Sequence, residues 1–433
     1  MMDWNIIVRC GITDNYLLPR SGNPSIFVDF ERTGSPYLLS HSMGKGLNNL
    51  PQQAKELLYL AMAVYSADRY ISRDFSHDSW SRNITINFPV RSVAIWETAY
   101  DSLKGTLDFL TGDNWSFHFR ATTAIENPTT LLRLDDICVS LFSGGADSLV
   151  GAIDLLSQGQ NTVFVGHYGK GVTHSFQNIL ADDLKQVYSN FCDFVFRYVE
   201  PARIINCKKE TSTRGRSFLF LALAVAEGRS RANHTTLYVP ENGLISLNIP
   251  LVESRTGSLS TRTTHPYFLK QYKQLLHKIN LDVTIMVPYQ FKTKGEMFGG
   301  CLNPQLLQAL APKSVSCSHP ESSRWRQLPP NTHCGRCFPC LIRKASFAAA
   351  NIPDGSNYDI DVLQTPPQAT KAAGSDYRAV MMAISKFIES RPSADLFKVI
   401  SSGPLPQDNI DDFIGVYARG MNELSQYLLG VER

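Results

Sequence analysis

The chain has 433 residues, 43% of them hydrophobic, and 42 Lys and Arg against 39 Asp and Glu give a formal net charge of +3. That apolar content is ample for a buried core and fits two or three domains. The small net charge offers no strong field for nucleic acid. No apolar run approaches the roughly 20 residues that a membrane span needs. Met1-Met2-Asp3-Trp4-Asn5 is not a basic stretch leading into a long apolar core, so a soluble, cytoplasmic protein is expected.

Residues 1–125 form a first region. Asn5–Cys10 and Ser25–Phe30 are short strand-like runs between Gly and Pro. Leu57–Ile71 carries apolar residues at helical intervals, and Asn83–Phe88 alternates like a half-buried strand. Trp96–Leu110 reads as a helix and Trp115–Phe119 alternates again. This predicts an α+β region that positions a partner or the neighbouring domain, or only packs against the core.

From about residue 130 the pattern becomes apolar strand, then helix, repeatedly. Strands are expected at Ile137–Phe142, Thr162–Val165, Asp193–Tyr198, Thr236–Val239 and Asp282–Val287. Spacings of roughly 25 to 45 residues leave room for crossover helices, the signature of an α/β doubly wound parallel sheet. Ligands sit beyond the carboxyl ends of such strands.

The first strand runs into Phe142-Ser143-Gly144-Gly145-Ala146-Asp147-Ser148 and then a helical pattern. Strand, tight turn and helix start aim several backbone N–H groups at one spot. The glycines admit a ligand where a Cβ would block it. Asp147 would repel a phosphate unless a divalent cation lay between them, so the layout suggests a Mg²⁺-nucleotide. No Gly-Lys-Ser/Thr follows, which excludes a Walker A loop.

After the second strand, Tyr168 could stack on a purine and Lys170 could meet phosphate, unless this is an ordinary surface turn. Arg214 and Arg216 at a helix start oppose the helix dipole, so an anion or a salt bridge should be near. Glu241 and Asn242 follow the fourth strand, and Thr263 and His265 lie in a polar loop. Glu241 could accept two donors from a guanine-like edge. Lys294, between the fifth strand and a helix, could reach phosphate or remain solvated.

Nine cysteines are unevenly spread, and the last four, Cys317, Cys334, Cys337 and Cys340, fall within 24 positions. Four thiolates complete a tetrahedral site with no open position, as in structural zinc. An iron–sulfur cluster and redox-active Cys pairs are the chemical competitors, and His333 is a possible substitute ligand. The last 80 or so residues read as helical, Tyr377–Ser390 and Asp411–Leu429 above all, an appendage for packing or assembly.

Taken together, these stretches resemble the 7-cyano-7-deazaguanine synthase family of PP-loop ATP pyrophosphatases. Ser143–Ser148 resembles its PP-loop, Tyr168-Gly169-Lys170 its Tyr-Gly-Gln, and Arg216-Ser217 its Arg-Asn. Thr293-Lys294-Gly295-Glu296 resembles its Thr-Lys-x-Glu, and the four cysteines with Arg343 and Phe347 its zinc knuckle. The resemblance covers about residues 135–350. The wider separation of Cys317 from Cys334, the altered 241–265 region and the extra terminal regions are closer to the enlarged members found in anti-phage cassettes.

The resemblance implies a PP-loop sheet with a zinc knuckle over residues 126–350, flanked by regions 1–125 and 351–433. It implies ATP, Mg²⁺ and Zn²⁺, adenylation of a carboxylate on a 7-deazaguanine, and transfer to ammonia or to an amine of a partner protein of the defence cassette. Ser143, Asp147, Ser148, Arg216 and Lys294 would be catalytic. Phe142–Ser148, Tyr168 and Lys170 would bind nucleotide, and Glu241, Asn242, Thr263 and His265 the substrate. Other readings are a tRNA-modifying enzyme of the same loop type and a non-catalytic nucleotide-binding scaffold. Neither a membrane nor nucleic acid is an expected partner.

Overall fold

The computed structural model describes residues 3–18, 22–32, 35, 37–41, 50–123, 133–169, 171–188, 192–201, 210, 212–250, 262–368 and 372–433. The N-terminal region contributes strands β1 (Asp3–Cys10), β2 (Ser25–Phe30) and β3 (Ser40–His41), helix α1 (Gln52–Tyr70), β4 (Asn83–Val90), α2 (Val93–Thr111) and β5 (Asn114–Ala121). Four of its strands form a sheet of order β2-β1-β4-β5 in which every pairing is parallel. The expected α+β region is therefore α/β. Alternation along Asn83–Phe88 fixes a strand and its inward face, but says nothing about the direction of the neighbouring strand. Trp4, Ile6, Val8 and Cys10 alternate into the core from β1.

The next region supplies β6 (Leu134–Leu141), α3 (Ala146–Ser157), β7 (Thr162–Tyr168), α4 (Thr173–Val187), β8 (Cys192–Glu200), α5 (Arg216–Arg231) and β9 (Ala232–Tyr238). It continues through α6 (Gly243–Leu247), α7 (Pro266–Lys278), β10 (Val283–Met286), α8 (Lys294–Gly299), α9 (Pro304–Leu310), α10 (Ser322–Trp325) and α11 (Phe338–Ala349). The second sheet has the order β10-β9-β6-β7-β8-β3. All its pairings are parallel except β3 with β8, so the N-terminal region closes one edge of this sheet. Winding outward from β6 in both directions creates a crevice between the carboxyl ends of β6 and β9.

The two faces of this sheet are covered differently. Cys138, Phe142 and Phe164 pack under α3 and α4. Val139, Leu141, Val163, Val165, Leu237 and Val239 join α5 and α7 in a cluster that continues without a break into the N-terminal sheet. Helix α1 is buried on nearly every side because it lies between its own sheet and α5. Helix α2 likewise packs on α7. Each large apolar side chain in this seam stabilises the junction by about 1.5–3 kcal/mol.

The C-terminal region is helical, as expected: α12 (Ser375–Glu389), α13 (Ala394–Ile400) and α14 (Ile410–Leu429). It forms a third cluster with Leu244 and Leu247 of α6 and Leu341 and Ile342 of α11. No helix among the described residues is long and apolar enough to cross a membrane.

Candidate functional site

The loop after β6 is gripped from behind. Phe142 extends the strand, its N–H donating to Val165 O at 2.7 Å, and its ring sits among Phe164, Phe194 and Phe196. Gly144 has φ +84, and a Cβ there would meet Gln177 Cγ at 3.2 Å. Gln177 Nε2 donates to the Phe142 and Ser143 carbonyls at 3.2 and 3.4 Å, and Val315 N–H donates to Gly144 O at 2.9 Å. The loop carbonyls are thus occupied. The first turn of α3 has no side-chain cap, so the N–H groups of Ala146, Asp147 and Ser148 remain available at the cavity, while Gly145 N–H donates to Ser143 Oγ at 3.3 Å. Ser143 Oγ lies 3.2 Å from Ser148 Oγ, which donates to Gly145 O at 2.9 Å.

The cavity, of about 370 Å³, occupies the crevice at the ends of β6 and β9, with Leu141, Val239 and Pro240 at its base. Phe220, Ile245, Pro339 and Ile342 make an apolar wall, and Thr213, Ser217, Thr263, Thr264 and Ser316 add hydroxyls. Such a mixture of apolar wall and few convergent polar groups is typical of small-molecule sites.

Two cations enter it from helix starts. Arg216 Nε donates to His167 Nδ1 at 3.1 Å and Nη2 to His167 O at 3.2 Å. Burial pushes the Arg216 pKa down, and no carboxylate among the described residues forms an ion pair with it. His167 is itself buried. Burial and then the Arg216 charge lower its pKa to about 3, so the ring is neutral. Its Nδ1 accepts from Arg216, leaving Nε2–H to face Val199 O at 3.3 Å.

Lys294 reaches Asp147 Oδ1 at 2.6 Å. Asp147 Oδ2 accepts from Asn242 Nδ2 at 2.7 Å and Asn242 N at 3.3 Å. Burial alone would raise the Asp147 pKa, but Lys294 and the surrounding hydrogen bonds hold it below the ordinary carboxylate value. Glu241 goes the other way. Burial, then the Asp147 charge and a hydrogen bond to it, push its pKa well up. Glu241 and Asp147 thus stand side by side in one acidic corner of the cavity.

Ser143, Gly145, Ala146, Asp147, Ser148, Arg216, Glu241, Thr263 and Lys294 all line the cavity. Gly144 shapes the loop, and Asn242 caps α6 through Ile245 N–H while holding Asp147. Three other expected site residues lie elsewhere. Phe142 is core. Tyr168 is not among the cavity residues and stacks on His174 at 3.8 Å and 4°. His265 is fully buried, caps α7 by accepting from Tyr267 N–H at 3.1 Å, and packs its ring 4.8 Å from Phe109. Its polar-loop setting in the sequence reflects capping, not ligand contact. Lys170 lies outside the described residues. Gln177 and His167 were missed. A glutamine on the buried face of α4, in register with Leu180 and Leu184, was the available signal for the first.

Cys317, His319, Cys334 and Cys337 each offer a ligand atom, all within 4.8 Å of one another. Cys340 Sγ lies 3.3 Å from Cys337 Sγ and 4.0 Å from Cys334 Sγ, and Cys317 Sγ is 3.9 Å from Cys337 Sγ. Four thiolates at a metal–sulfur distance of about 2.3 Å sit roughly 3.8 Å apart in a tetrahedron, so the cluster fits such an ion. Backbone N–H groups of His319, Cys334 and Cys337 point at these sulfurs at 3.3–3.4 Å, as thiolates require. The histidine at the cluster is His319, not His333, whose Nε2 meets Ser314 O at 3.2 Å beneath Tyr358. Helix α11 starts from this cluster and carries Pro339 and Ile342 into the cavity wall. Comparison with known proteins returned no matching family model, no matching curated protein and no matching solved structure.

Proposed function

We propose that the cavity takes ATP with Mg²⁺ and that the chain adenylates a carboxylate on a 7-deazaguanine, then passes the acyl group to an amine. The observation that carries the reading is the convergence of open α3 amides, Lys294 and an Arg216 without a carboxylate partner on one crevice. A desolvated cation beside free N–H groups is a site prepared for an anion. The apolar wall opposite suits a planar ring. The resemblance of the loop, the lysine turn and the cysteines supplies the PP-loop class and the deazaguanine.

In this reaction the substrate carboxylate attacks the α-phosphorus, the acyl–phosphate bond forms, and the bond to the β-phosphate breaks to release pyrophosphate. The Ala146 amide, with Ser143 and Ser148, holds the departing oxygens. Arg216 and Lys294 neutralise the charge that develops, each such donor contributing about 10²–10³ in rate. Asp147 and Glu241 have the hard oxygen donors that would hold Mg²⁺, which would screen the phosphates from the carboxylates. The amine, ammonia or an amine on a partner protein of an anti-phage cassette, then attacks the acyl carbon and AMP leaves. Cys317, Cys334, Cys337 and Cys340, with His319 beside them, would hold Zn²⁺ as a closed structural site at the start of α11. Incubation with ATP, 7-carboxy-7-deazaguanine and ammonia should yield AMP and pyrophosphate in equal amounts. ADP with free phosphate would refute cleavage between the α and β phosphates.

A further inference from the structure

The C-terminal helix α14 packs against the turn that carries the cavity's lysine. Lys294 is the first residue of α8, a helix of only six residues, so its direction depends on the turn from Thr293 to Glu296. That turn has its own capping box, in which Glu296 N–H donates to Thr293 Oγ1 at 3.0 Å and Thr293 N–H to Glu296 Oε2 at 2.9 Å. Helix α14 then takes the remaining groups. Glu423 accepts from the Thr293 hydroxyl on Oε1 and from Gly295 N–H on Oε2 at 3.3 Å. Arg419 donates to Glu296 Oε1 at 2.5 Å and to Phe291 O at 2.8 Å.

The approach is close enough to dictate sequence. A Cβ on Gly295 would lie 2.5 Å from Glu423 Oε1 and 3.0 Å from Ala349 Cβ. One turn before Glu423, Gly420 lets α14 lie against Leu244 of α6, whose cap Asn242 holds the other oxygen of Asp147. Helix α14 therefore backs both partners of Asp147.

Glu423 is costly where it stands. Burial raises its pKa to about 7, against the hydrogen bonds from Thr293, Gly295 and Ser346, and the Glu296 charge adds to the rise. An apolar residue would pack there at lower cost. The carboxylate is kept where each of its oxygens holds a residue flanking Lys294.

We infer that Glu423 is a positioning residue for Lys294, fixing through Thr293 and Gly295 the turn from which the lysine enters the cavity. The inference rests on the reading that Lys294 meets phosphate. The glutamine variant tests it, because an amide N–H₂ turned toward Gly295 N–H loses that bond, and turned toward Thr293 it can only donate to a hydroxyl oxygen that already accepts from Glu296 N–H, which weakens the grip.

ATP·Mg²⁺ binding is measured by calorimetry on the full chain for wild type, Glu423→Gln, Lys294→Ala and the double variant. In parallel, hydrogen exchange at the 294–297 amides is read without nucleotide. Lys294→Ala should weaken binding at least tenfold and Glu423→Gln three- to tenfold, with the double variant no weaker than Lys294→Ala alone. Exchange at Gly295 should quicken in Glu423→Gln while the melting temperature of the sheet is kept. Losses that multiply in full, or Glu423→Gln binding like wild type, would overturn the inference. If wild type binds no ATP, the functional reading falls. The exchange arm then decides the positioning role alone: quicker exchange at Gly295 sustains it and unchanged exchange ends it.

Discussion

The two cations of the cavity both stand at helix starts, yet they are held in opposite ways. Lys294 is neutralised by Asp147 at 2.6 Å. Arg216 leans on a histidine that is itself neutral and has only nitrogen and carbonyl contacts. The first cation is part of the fold's internal charge balance, and the second carries a charge that no described carboxylate offsets. The comparison separates a cation that already has a partner in the fold from one that has none.

Their surroundings differ in the same sense. The Arg216 turn is anchored by the N-terminal region, where Asp68 of α1 accepts from Gly215 N–H at 2.8 Å and Arg214 stacks over Trp80. The Lys294 turn is anchored by α14. Each terminal region grips the backbone behind one cation, so neither is a mere appendage to the central sheet.

The largest effect should come from the wall that bears neither cation. Removing the metal with a chelator should unravel residues around 315–345 and take Pro339 and Ile342 out of the cavity, since structural zinc contributes on the order of 10 kcal/mol in small sites. Proteolysis confined to that stretch, together with a fall in melting temperature, would be the readout. Chelation that leaves both unchanged would contradict a structural ion.

Lys294→Ala comes next. It leaves Asp147 buried without its cation, which should cost about 3–5 kcal/mol of stability in addition to activity. Arg216→Ala should differ in kind. Activity should fall about 10²–10³-fold while the melting temperature holds or rises, because a desolvated cation without a carboxylate partner is removed. If both variants lose stability equally, the distinction between the two cations collapses.

The smallest effect is on acid stability. The His265 pKa is lowered to about 3 by burial and then by Arg262, against about 6.5 when unfolded. Above pH 6.5 neither state is charged and the residue contributes nothing. Below it the unfolded chain takes a proton that the folded chain refuses, so stability falls as pH drops toward 3. Two pH units below 6.5 the loss is about 2.7 kcal/mol. His265→Asn keeps an N-cap acceptor and should flatten denaturation midpoints between pH 6.5 and 4.5. An unchanged slope would show that His265 is not buried neutral.

What the sequence revealed was local. Ile137–Phe142, the glycine pair and the helical pattern after it lie within one short stretch, so strand, turn and helix could be read together. Arg216 and Lys294 stood out because a cation at an element junction conflicts with a helix start. Direction of pairing in the N-terminal sheet did not, because alternation is the same for parallel and antiparallel neighbours. The sequence leaves His265 open between a substrate contact and a hydrogen-bonded loop histidine, and it passes over His319, for one reason. Which histidine turns inward is settled by Phe109 in the first case and by the fold of the cysteine loop in the second, not by spacing. Gln177 and Glu423 act only through loops distant in sequence.

Pyrophosphate exchange tests the central claim most directly. Labelled pyrophosphate should enter ATP when wild type, Mg²⁺ and 7-carboxy-7-deazaguanine are together, and not when the deazaguanine is left out or Asp147→Ala is used. No exchange by wild type, or full exchange by Asp147→Ala, would contradict it.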